Sequence, residues 1–78
     1  MIKKKYYVTF GRNQANEGGY IEFLARNEWS VRDEMLKRYG DKWSAIYTEE
    51  QWNKEENLCR KEYSLLQVIE IPLSKKCR

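Results

Sequence analysis

Few residues in this chain have the chemistry to break or make a bond. Histidine is absent from all 78 residues, so a Ser-His or Cys-His nucleophile pair is ruled out within one chain. Cys59 and Cys77 stand alone, outside any CxxC pair, and a structural zinc site needs about four N or S ligands. Two free thiols fit a reducing compartment. Glu49-Glu50 and Glu55-Glu56 are paired carboxylates by sequence, but adjacent positions on a helix do not face one another. They read as a solvated face. The loop GRNQANEGG, residues 11–19, has glycines and an arginine, yet matches neither the P-loop nor the dinucleotide pattern. No cofactor pattern is present, and an enzyme is not expected.

What remains is chemistry of recognition. Trp29, Tyr7 and Tyr20 are large rings at positions that the strand and helix periodicities turn away from the core. Arg12, Asn13 and Gln14 place three donor-bearing side chains on one loop. Together these six are the candidate protein-binding residues, since aromatics and arginine dominate interface energetics. A second reading uses charge. Lys3, Lys4 and Lys5 lie at one end, and Lys75, Lys76 and Arg78 at the other, and they account for the formal charge of +3. Without those six the body carries nine basic and twelve acidic residues. Basic ends joined to a Tyr7/Tyr20 stacking face would suit a nucleic-acid-binding domain. The simpler reading makes residues 1–4 and 74–78 solvated basic tails on a single domain spanning 1–78.

Lys5–Phe10 is rich in aromatic and β-branched residues and reads as a strand. Its alternation places Tyr6, Val8 and Phe10 on one face, and Tyr7 on the other. A second strand covers Tyr20–Ala25, with Ile21, Phe23 and Ala25 inward. An antiparallel hairpin is the simplest pairing. Asn27 caps a helix over Glu28–Tyr39, whose apolar stripe is Val31, Met35 and Tyr39, and Gly40 stops it. A short strand over Trp43–Tyr47 leads to Thr48, and Gln51 three residues later completes a capping-box pattern. The second helix is expected from Glu49 to about Tyr63, and a last strand over Leu65–Leu73. Leu66 and Val68 load that strand's second face, which predicts a central position for part of it.

The order ββαβαβ implies an α+β fold. A four-stranded, mostly antiparallel sheet with one or two helices on one face is the natural solution. Trp43 and Trp52 are expected in the core, packed on each other across Tyr47-Thr48. No run approaches the roughly 18 apolar residues of a spanning helix, and MIKKKYYVTF lacks the apolar stretch of a signal peptide. A cytoplasmic chain is expected.

One pattern reaches beyond single elements: Tyr6-Tyr7-Val8-Thr9-Phe10-Gly11, Gln14, Gly19-Tyr20, Arg38-Tyr39-Gly40-Asp41-Lys42-Trp43 and Tyr47-Thr48-Glu49-Glu50-Gln51-Trp52. On these residues, spanning about 5–52, the chain resembles a family of short proteins encoded by phages and prophages. The C-terminal third departs from that pattern. The resemblance implies an accessory protein working in the cytoplasm of a bacterial host, by binding a host or phage protein. By analogy it extends to inhibition of a defence system, as anti-CRISPR proteins do. A homodimer through the sheet face is a further expectation.

Overall fold

The computed structural model describes residues 3–11, 16–54 and 62–71. It contains β1 (Lys4–Thr9), β2 (Gly19–Ala25), α1 (Glu28–Tyr39), β3 (Ala45–Thr48), α2 (Glu49–Trp52) and β4 (Ser64–Glu70), which is the α+β fold the element order implies. The strands form one sheet in the order β3-β1-β2-β4. β1 pairs antiparallel with both β2 and β3. β4 runs parallel to β2, so the sheet is mixed.

Strand alternation divides the side chains into two layers. Tyr6, Val8 and Phe10 from the β1 segment, Ile21, Phe23 and Ala25 from β2, and Ile69 and Ile71 at the β4 end point to one side and are buried. Val31 and Met35 of α1 seal that side at 0% exposure. Full burial of each such side chain contributes roughly 1.5–3 kcal/mol, which makes this layer the main source of stability. Phe10 meets Tyr39 edge-on at 5.1 Å. Tyr39, Trp43 and Ile46 close the rim of the cluster.

Local signals bound α1. The Ser30 amide donates to Asn27 Oδ1 at 2.9 Å, which satisfies one of the orphan donors of the first turn. At the other end Gly40 adopts φ 65° and ψ −124°, and its amide donates to the Leu36 carbonyl at 3.0 Å. The exposed face carries three i,i+4 pairs, Glu28–Arg32, Asp33–Lys37 and Glu34–Arg38. Each contributes only about 0.3–0.5 kcal/mol.

Two elements differ from their expected form. The second helix ends at Trp52, with Asn53 as its C-cap, and residues 55–61 of its expected span lie outside the described residues. Its capping box is intact: Gln51 N donates to Thr48 Oγ1 at 3.1 Å, and Thr48 N to Gln51 Oε1 at 3.0 Å. The last strand is an edge strand, not a central one. A shift of register between Tyr20 and Ile21 leaves Leu66 unpaired as a bulge, and Leu65, Leu66 and Val68 stand about half exposed. Residues 72–73 of the expected strand lie outside the described residues.

Among the described residues, no helix is long and apolar enough to cross a membrane.

Candidate protein-binding surface

The second layer of the sheet holds Tyr7 and Thr9 of β1, Tyr20, Glu22 and Leu24 of β2, and Tyr47 of β3. The expectation was an uncovered face. Instead α2 turns back over it and lays Trp52 on the rings. Trp52 stacks on Tyr7 with centroids 4.8 Å apart and planes at 10°. It lies 4.7 Å from Tyr20 and 5.6 Å from Tyr47. Trp52 is 4% exposed and Tyr7 7% exposed. The capping box explains the geometry. It fixes the chain direction at Thr48, one residue past Tyr47, so the single turn of α2 delivers Trp52 beside the strand it has just left.

Burial raises the Tyr7 hydroxyl pKa above its ordinary value, and the carboxylates of Glu22 and Glu49 and the Tyr20 hydroxyl add to the effect. Tyr6, on the opposite layer, is raised by burial first and by Glu28 second.

Trp43 and Trp52 therefore serve different layers and do not pack on each other as expected. Trp52 belongs to the tyrosine cluster. Trp43 packs against the α1-side core and donates its Nε1–H to the Gly40 carbonyl at 2.8 Å.

Trp29 is the opposite case. It is 76% exposed, at the first turn of α1. The Arg32 guanidinium carbon lies 6.0 Å from the Trp29 ring centroid and 5.9 Å from that of Trp43. Arg32 thus bridges two tryptophans that are fourteen positions apart in sequence, at the outer limit of cation–π range. Arg32 also holds Glu28 at 3.3 Å. Leu36, 51% exposed, extends the row by one turn. Positions 29, 32 and 36 recur at helical spacing, beside the buried Val31–Met35 stripe. Sequence reading singled out Trp29 but missed Arg32, Leu36 and Trp43. The 29/32/36 spacing was visible, but the approach of Trp43 depends on the Gly40 turn folding the chain back toward α1.

The other expected residues are placed as follows. Tyr20 is half-buried beside Trp52. Lys4 and Lys5 are exposed on β1, and Lys3 forms an ion pair with Glu70. Arg12, Asn13, Gln14, Lys75, Lys76, Cys59 and Cys77 lie outside the described residues. Of the six protein-binding candidates, the structure brings Tyr7 and Tyr20 together at 6.0 Å, under Trp52. Trp29 sits on the other side of the sheet, with α1.

Comparison with protein-family models, with curated proteins and with solved structures finds no match for this chain.

Proposed function

We propose that this chain works as a small binding protein, without catalysis of its own, and that a protein partner docks on the Trp29–Arg32–Leu36 row of α1. One observation carries the reading: a tryptophan at 76% exposure in a chain whose other rings are all buried or partly buried. A bare indole is costly to hydrate and loses little conformational freedom on docking, which is why tryptophan and arginine head the residues that dominate interfaces. Arg32 supports it, because contact with both indoles limits the rotamers left to freeze on binding. The nucleic-acid reading draws less from the geometry. Tyr7 stacks on Trp52, not on open solvent, and Lys3 is neutralised by Glu70. The resemblance over residues 5–52 points the search for the partner to proteins of a bacterial host, with defence machinery first.

The test is capture from bacterial host lysate by immobilised wild-type chain and by Trp29→Ala, washed at about 0.5 M salt, where exposed charge contacts are screened within a few ångströms. The expected result is a protein retained by wild type and lost with Trp29→Ala. For the purified pair, Trp29→Ala should weaken affinity at least about 30-fold, the size of a hot spot. Equal retention by both chains would place the surface elsewhere. Retention of a labelled oligonucleotide near 50 mM salt, falling steeply as salt rises, would favour the nucleic-acid reading instead.

A further inference from the structure

The two edges of the sheet are built differently. β3 is four residues long with every residue partly buried, the short, covered form by which proteins blunt an edge. β4 is seven residues long, and six of the seven are exposed. Natural edges of that length are normally guarded by lysine, by proline or by an inward charge. The stretch Ser64–Glu70, SLLQVIE, has none of these. Its one charge, Glu70, is already engaged by Lys3. Among the described residues no strand flanks β4 on its outer side.

We propose that the β4 edge pairs with the β4 edge of a second copy of this chain, antiparallel and two-fold symmetric, with Val68 at the dyad. The bulge bounds the register, and exposure picks the centre within it, Val68 at 53% against the buried Ile69. Leu66 is out of step with β2, and its side chain lies over Gly19, where an added Cβ would meet it at 2.5 Å. Regular pairing is therefore available only from Gln67 onward. Centring on Val68 sets that residue against its own copy and Gln67 against Ile69. Both pairs keep like faces together: Val68 follows the register of Glu22, while Gln67 and Ile69 follow Ile21 and Phe23. Glu70 falls beyond those regular pairs, opposite the bulged Leu66 of the other copy, so no like charges oppose. The 53% exposed face of Val68 is the surface removed from water at the centre. A seven-residue strand spans only about 23 Å, and such an interface falls at the small end of specific contacts. The dimer is accordingly weak, with dissociation at about 10–100 µM.

The experiment is the mass in solution by sedimentation from about 5 µM to about 500 µM. Wild type should rise from the 9.5 kDa of one chain toward twice that mass. Val68→Lys and Val68→Glu, confirmed folded by circular dichroism, should each stay monomeric over the range, because the dyad places like charges directly opposite. Mixed one to one they should recover the dimer, since the opposed charges then attract. Trp29→Ala should dimerise as wild type does, which keeps this result separate from the α1 surface. Wild type remaining at 9.5 kDa throughout overturns the proposal whether or not either variant folds. So does a dimer that both charge variants retain, for that interface would lie elsewhere.

Discussion

Replacing Trp52 by alanine tests the central structural finding, that one indole from a single helical turn closes the second layer of the sheet. Trp52 is 4% exposed and touches three tyrosine rings with centroids between 4.7 and 5.6 Å. Truncating a buried aromatic costs about 3–5 kcal/mol. The upper half of that range applies here, because each ring pair adds about 0.5–1.5 kcal/mol beyond area burial, and three are lost at once. Collapse offers some relief, since the layer lies near the surface, so about 4 kcal/mol is the expected loss. A chain of this size has a total stability of roughly 4–12 kcal/mol. The loss should then lower Tm by about 15–30 °C, at about 4–8 °C per kcal/mol. Equilibrium urea unfolding followed by far-ultraviolet circular dichroism measures it without depending on tryptophan fluorescence. Trp29→Ala is the internal control, expected to stay within about 0.5 kcal/mol of wild type because an exposed side chain has little packing to lose. If Trp52→Ala unfolds at the wild-type urea midpoint, or if Trp29→Ala loses as much, the division of the tryptophans into lid and surface is wrong.

Gly40→Ala should cost about 1–3 kcal/mol, by thermal unfolding, purely from backbone strain: φ 65° with ψ −124° is a conformation that L side chains rarely adopt, and nothing lies within 4 Å of the added Cβ. Alkaline pH should also destabilise the fold. The Tyr6 and Tyr7 hydroxyls are held above their ordinary 10.0, so the unfolded chain releases those protons first. Their stabilising contribution is complete below about pH 10 and is lost as pH rises through the folded-state values. Tm should be level up to about pH 9.5 and then fall, and Tyr7→Phe should make the fall shallower. An identical fall in that variant would remove Tyr7 from the account.

The elements most readable from the chain are those set by contacts a few residues long. The bounds of α1 follow from Asn27 and Gly40, whose cap bonds reach three and four residues. The alternation in β1 and β2 identified the α1-side core correctly, because burial on one face leaves a two-residue period. The same reasoning failed for β4. Leu66 and Val68 look like a second buried face, but the strand lies at an edge, where Leu66 sits in the bulge and Val68, back in register, stands 53% exposed. Nothing local in SLLQVIE distinguishes a central strand from an uncovered edge.

The candidate surface divides in the same way. An exposed ring at position 29 could be read from its place off the apolar stripe of α1. That Arg32 spans Trp29 and Trp43 could not, since it requires the turn at Gly40 to bring position 43 back beside the helix. Tyr7 and Tyr20 were correctly paired on one face, but Trp52 covers them, and that depends on the direction in which α2 leaves β3.

The caps, the helix stop, the two-residue period of the hairpin and the lack of a histidine-based catalytic site are legible in the chain alone, because each is a matter of residue type or of bonds within one turn. The order β3-β1-β2-β4, the parallel seating of β4, the lid of Trp52 and the exposure of Val68 on the edge strand arise only in the folded chain. These depend on pairing between segments tens of residues apart, whose free energy comes from the whole assembled sheet and is carried by no single stretch of it.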